Sequence, residues 1–278
     1  MDTPILVRPG NPFVTLPLLR ELGSIAIAGD WHGDESVAIQ QLYRAAGEGA
    51  ACVIQLGDFG LFKSFATDRY LKAISEVATE LKLPVFWLDG NHEDFLWIKS
   101  TPIDPKTGLQ IFAKNLYRLP RGARWSWGGV NFMVVGGATS LDKPYRKEGI
   151  SWWPEEELTR EQIDELIRQT REYGKVDVLF THDAPFGVDV PGIGHRDYSN
   201  MWSAVELERA WDHRELLAEL VREVSPLAIF HGHFHKRYSS ATDAFGVKTE
   251  VVGLSDNNEL RMNVTFRELS SFATHPSQ

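Results

Sequence analysis

Two short blocks hold the residues best placed to do chemistry: Asp30-Trp31-His32 and Gly232-His233-Phe234-His235. In extended backbone, side chains two positions apart project to the same side, so each block can offer two donors to one cation. Three more blocks carry oxygen or nitrogen donors: Gly57-Asp58, Gly90-Asn91-His92-Glu93 and Thr181-His182. Taken singly, each is ambiguous, because Asp30 serves equally well in a turn and an exposed histidine needs no special explanation. Together they are not. With 23 glycines and 9 histidines in 278 residues, a Gly-His-x-His block arises in about 2% of shuffled chains, before the other four blocks are required. Imidazole nitrogens suit Mn, Fe, Ni or Zn, the Asn amide oxygen completes a mixed shell, and a carboxylate has two oxygens for two cations.

The elements that must position these donors are legible in the apolar runs preceding them. Ser24 to Ala28, Ala51 to Leu56, Pro84 to Leu88, Val176 to Phe180 and Leu227 to Phe230 read as buried strands, and each runs into one of the five blocks; Val130 to Val135 reads as a sixth. Strand ends are where α/β sheets build their sites. Thr159 and Gln162 form a capping box for a helix that stops at Gly174, and Ser203 with Glu206 starts a second that ends before Pro226. Strands are also expected over Lys248 to Val252 and Arg261 to Phe266. A single domain over 1–278 is the simplest partition, with its motif core over about 24–266 and a polar tail over 270–278.

Composition narrows the partners. The net charge of −9 disfavours extended nucleic acid and anionic membranes. The one cysteine, Cys52, lies in an apolar run and excludes both a disulfide and a thiolate metal cage. No leader and no long apolar span is apparent, so the expected location is the cytoplasm and no membrane partner is expected.

The ordered blocks Asp-x-His, Gly-Asp, Gly-Asn-His-Glu, a lone His and Gly-His-x-His resemble those of the calcineurin-like metallophosphoesterase superfamily, over about Gly29 to His235. The resemblance implies an α/β fold, a four-layer α/β/β/α sandwich of two packed mixed β-sheets with flanking helices. It implies two divalent metal ions, Mn favoured and Fe, Ni or Zn as alternatives. Asp30, His32 and His235 would hold the first and Asn91, His182 and His233 the second, with Asp58 bridging. It further implies in-line attack on phosphorus by a metal-bridging hydroxide, with His92 acting on the leaving group or on transition-state charge. Glu93 and Asp94 are candidates to orient His92 by proximity alone, weighed evenly against capping a following helix or serving as a surface acid.

Departures narrow the branch. Leu61 and Phe62 stand where protein phosphatases and dinucleoside tetraphosphatases of this superfamily carry an Asp-Arg pair, and Leu61 stands where purple acid phosphatases carry a Tyr. What remains resembles small bacterial and phage-type members. The expected activity is hydrolysis of a small phosphodiester, cyclic nucleotides included; the alternatives are a nuclease, a phosphomonoesterase or protein phosphatase, and a non-catalytic interaction scaffold. Lys143, Arg146 and His195 are candidate substrate contacts, weighed against a solvated role for the two cations and a loop role for the histidine. Trp152 and Trp153 either stack on a base or staple the following helix to the core. His231, beside the Gly-His-x-His block, is expected to be structural.

Overall fold

Alternate residues of β1 (Ser24–Ala28) face opposite sides of a sheet, as the period of two in a strand requires. Ile25 and Ile27 enter one apolar cluster, while Ala26 and Ala28 enter another. The computed structural model describes residues 10–17, 19, 23–62, 64–193, 202–259, 261 and 263–272. Its first sheet comprises β1, β2 (Ala50–Gln55), β3 (Val85–Trp87), β4 (Gln110–Ala113), β5 (Leu116–Arg118) and β12 (Val264–Glu268), in the order β12-β1-β2-β3-β5-β4. The second comprises β6 (Arg124–Trp127), β7 (Val130–Val135), β8 (Val178–Thr181), β9 (Ala228–His231), β10 (Tyr238–Thr242) and β11 (Thr249–Gly253), in the order β10-β11-β9-β8-β7-β6.

Both sheets are mixed. β1, β2, β3 and β5 run parallel in the first and β7, β8, β9 and β11 in the second, with antiparallel strands at the edges. A central core of Ile25, Ile27, Ile54 and Phe86 from one sheet meets Phe132, Phe180, Phe230 and Val252 from the other. On the far face of the first sheet lie α1 (Glu35–Gly47), α2 (Phe65–Glu80) and α3 (Phe95–Ser100), and on that of the second lie α4 (Arg160–Tyr173) and α5 (Ala204–Val224). The four-layer α/β/β/α order is therefore the observed one.

The sequence-placed strands agree to within about three residues at their ends. The run from Val176 enters its ladder only at Val178, because Asp177 is engaged across the sheet: its N–H donates to the Asn131 carbonyl at 2.8 Å and its carboxylate accepts the Asn131 N–H at 2.9 Å. The capping box at Thr159 is present, with Gln162 donating to and accepting from the cap, and Ser203 Oγ accepts the Glu206 N–H. Beneath the strand ends, Asp89 forms ion pairs with Arg118 and Arg121, all three side chains being fully buried. Burial alone would raise the Asp89 carboxyl, yet the two guanidinium groups hold it below its ordinary range.

Candidate metal centre

Ligand blocks from both sheets converge at the carboxyl ends of β1, β2, β3, β8 and β9. Asp30 and His32 follow β1, Asp58 follows β2, Asn91 and His92 follow β3, His182 follows β8, and His233 and His235 follow β9. The loops that carry them are unusually bent. Of the seven non-glycine residues with positive φ among those described, four are His32, Asp58, His233 and His235. Such backbone is tolerated where the surrounding structure over-determines it, and it clusters at functional sites. Close approach explains two glycines of the motif. A Cβ on Gly90 would lie 2.2 Å from Asp58 Oδ1, and one on Gly232 would lie 2.2 Å from Asp30 Oδ1.

His32 Nε2 and His235 Nε2 face each other at 3.2 Å, and His235 Nε2 is 3.1 Å from Asp30 Oδ2. Donor atoms of Asp30, His32 and His235 all lie within 4.8 Å of one another, as do those of Asp30, Asp58 and His182. His182 Nε2 is 3.5 Å from Asp58 Oδ1 and 3.1 Å from Asn91 Oδ1. His233 stands further back: its ring centroid is 5.1 Å from that of His182, and its amide N–H donates to the Asp30 carboxylate.

The donors fit divalent cations. Asp30 and Asp58 are buried carboxylates whose only ion-pair partners among the described residues are histidines. Buried charge requires a counter-charge. Burial would raise the Asp58 carboxyl, but His92, His182 and His32 hold it well below the ordinary carboxylate range. His182 is raised to about 10, its burial outweighed by Asp58, Asp30 and Glu93. Burial lowers His233 to about 4, leaving a neutral imidazole able to ligate.

Outer hydrogen bonds aim the rings. His182 Nδ1 donates to the Leu56 carbonyl at 2.7 Å, and His235 Nδ1 lies 3.2 Å from Asp256, so in both residues Nε2 is left to face the cluster. Gln55 ties the loops after β1 and β2 together, donating to the carbonyls of Gly29 and Gly57. Neither Asp256 nor Gln55 carried a motif signal, because their partners are distant in sequence or are main-chain atoms.

His92 is oriented by Arg146, not by Glu93 or Asp94. Arg146 Nη2 lies 2.8 Å from His92 Nδ1 and 3.1 Å from Nε2, and Asp142 holds the guanidinium at 2.7 Å. Burial and the neighbouring Arg146 and His32 charges lower the His92 pKa against the pull of Asp58. Glu93 instead accepts the amide protons of Phe59 and Gly90, and Asp94 caps α3. Of the three sequence-proposed substrate contacts, two lie among the described residues. Arg146 is engaged with His92, Asp142 and the Ser151 carbonyl, Lys143 sits over the Trp152 ring at 4.3 Å, and His195 lies outside the described residues. Trp152 and Trp153 are both buried, Trp153 in the core against Phe95, which favours the staple over the base platform. His231 is structural, bonded through Nε2 to the Tyr238 hydroxyl at 2.6 Å.

A cleft of about 550 Å³ opens from the cluster. Asp58, Asn91, His92, His233 and His235 line its floor, and Ile193, Leu207, Trp211 and Phe234 form an apolar wall. Asp142, Asp183 and Arg214 supply its other charges, with Arg214 donating to the carbonyls of Ala184 and Val188.

Comparison with known proteins accords with this geometry. The profile of the calcineurin-like phosphoesterases matches residues 23–237. No curated protein sequence matches the chain. Among solved structures, a dimetal phosphatase from Danio rerio is similar at 14% identity and a TM-score of 0.55, over 90% of this chain and 93% of that one. The protein TT1561 of Thermus thermophilus is similar at 15% identity and a TM-score of 0.52, over 89% of this chain and 99% of that one. At such identities the likeness is one of fold.

Proposed function

The chain belongs to the calcineurin-like phosphoesterase family of metal-dependent phosphoester hydrolases, and from that premise we propose that it cleaves small phosphodiesters with two divalent cations. The observation that carries this reading is a pair of buried carboxylates, Asp30 and Asp58, ringed by imidazole nitrogens, with Asp58 lining one cleft. Asp30, His32 and His235 would hold the first cation, Asn91, His182 and His233 the second, and Asp58 would serve both. When bound, the cations supply Lewis acidity toward a phosphoryl oxygen and lower the pKa of water between them. Manganese is the first metal to try with this nitrogen and oxygen set.

The preference for a diester rests on the apolar side of the cleft, where Ile193, Leu207, Trp211 and Phe234 can hold the second organic group that a monoester lacks. The apolar wall suits an organic group on the phosphate, a nucleoside among them. His92 lies at the cleft floor beside Asp58, and Arg146 with Asp142 keeps its ring in place to donate toward a departing oxygen.

The test is to compare initial rates on bis-p-nitrophenyl phosphate and p-nitrophenyl phosphate, using chelated protein reloaded with Mn²⁺ beside a metal-free control. Faster, metal-dependent cleavage of the diester is expected. Faster cleavage of the monoester would replace the diester reading with a phosphatase, and inactivity on both at full metal occupancy would point to a scaffold.

A further inference from the structure

The two ends of the Asn91 amide differ in what they can do: Oδ1 accepts, and Nδ2 only donates. Oδ1 stands 3.1 Å from His182 Nε2, while Nδ2 donates to Ser140 Oγ at 3.0 Å. Ser140 is buried, and its hydroxyl lies 2.8 Å from Oε2 of the fully buried Glu156. The other Glu156 oxygen accepts the Ser140 amide proton, also at 2.8 Å. Above about pH 8, where the Glu156 carboxyl has ionised, it has no proton to give. The Ser140 hydroxyl must then donate to Glu156, and it meets Asn91 only with a lone pair. That lone pair accepts Nδ2–H and repels Oδ1, so the amide oxygen stays turned toward the cluster.

Glu156 is itself held from the loop that carries Asn91. Arg121 donates to the carbonyls of Glu155, Glu156 and Glu157 at 2.9, 3.0 and 3.1 Å, and its Nε donates to Asp89 at 2.8 Å. Asp89 lies two residues before Asn91. A closed ring of polar contacts therefore runs from Asp89 through Arg121 and the 155–157 backbone to Glu156, Ser140 and Asn91. A buried network satisfied in this way specifies one arrangement of its members.

We propose that ionised Glu156, acting through Ser140, is a positioning residue that decides which end of the Asn91 amide faces the second cation, a role that rests on the reading of Asn91 as a ligand. A carbonyl oxygen binds a divalent cation and an amide NH₂ does not. Outer partners of metal ligands typically account for about 10- to 100-fold in affinity. Glu156→Gln keeps the shape but can donate from Nε2 to Ser140 Oγ, which frees the serine hydrogen for Asn91 Oδ1 and favours the flipped amide. Ser140→Ala removes the bridge altogether.

The experiment titrates Mn²⁺ calorimetrically into metal-stripped, full-length wild type, Ser140→Ala, Glu156→Gln and Asn91→Ala, with circular dichroism confirming the fold. Argon and a pH of about 8.5 keep Mn²⁺ reduced and Glu156, which burial raises to about 8, mostly ionised. Ser140→Ala and Glu156→Gln are expected to weaken one of two sites by about tenfold or more and leave the other unchanged. The electron paramagnetic resonance signal of a coupled Mn²⁺ pair should give way to that of isolated ions, which a purely structural role would not cause. Wild-type affinities in Ser140→Ala and Glu156→Gln, beside a lost site in Asn91→Ala, would overturn the relay and leave the two-cation reading standing. Wild-type affinities in Asn91→Ala would overturn the ligand reading and the relay with it. Should Ser140→Ala fail to fold, the isosteric Glu156→Gln decides alone.

Discussion

His92 Nε2 lies 3.9 Å from Asp58 Oδ2, yet replacing the two residues should have different consequences. Asp58→Asn removes a charge from a buried cluster whose ion-pair partners among the described residues are histidines, so metal retention and turnover should fall together. His92→Ala leaves every proposed ligand in place; bound metal should stay at the wild-type level while turnover drops about 10²- to 10⁴-fold. Metal analysis and rates on the same preparations separate the two, and undiminished turnover in either variant contradicts its assigned role. At this scale the residues that cluster were legible, because each is a distinctive residue type at a fixed offset from a strand end. Their supports were not. Arg146 was singled out as a substrate contact and not as the neighbour of His92, while the Leu56 carbonyl, Asp256 and the pair Ser140 and Glu156 reach the site from segments far away in sequence, and nothing in their local sequence marks them.

The loops that join strand to ligand have little room. At Gly232, Ala would place its Cβ 2.2 Å from an Asp30 oxygen without straining φ, so its effect is one of crowding alone. Gly232→Ala should therefore lower Mn²⁺ affinity at the site of Asp30, His32 and His235 while the circular dichroism spectrum stays that of the wild type. Unchanged binding would show that the two loops can part at no cost to the site. Buried parallel strands announce themselves as short apolar runs, and α4 and α5 by their caps, so the elements that bear the ligands were readable. β4, β5 and β6 were not, because each mixes Gln, Arg or Ser with its apolar residues, and β10, whose residues are half-buried or exposed, leaves no apolar run to find. The short helix α3 was open in the sequence only as an alternative for Glu93 or Asp94, and the structure settles it on Asp94, whose carboxylate accepts the Trp97 amide proton.

Across the whole molecule, buried acids couple stability to pH. Glu156 titrates near 4.5 when unfolded and at about 8 when folded, burial outweighing its hydrogen bonds from Ser140. Between those values the folded chain keeps a proton that the unfolded chain has released, so this contribution is fully present below about 4.5 and is lost as pH rises toward 8. In metal-stripped protein, Glu156→Gln should narrow the difference between urea midpoints at about pH 5 and about pH 8.5; an unchanged difference would show that the carboxyl is not shifted. Glu93, raised by burial and by Asp58 to about 8, leaves a residual slope in the variant. The ladder between β1 and β12 also has a consequence for biosynthesis. Ser24 is aligned with Glu268 and Ala28 with Val264, so a strand made before all the ligand loops awaits one made after them. Every proposed ligand leaves the ribosome before that partner does, yet until then a row of buried residues has an open flank on which a second nascent chain can pair. A proteolytic nick just before Val264 would therefore reopen a seam in the first sheet instead of trimming a loose end.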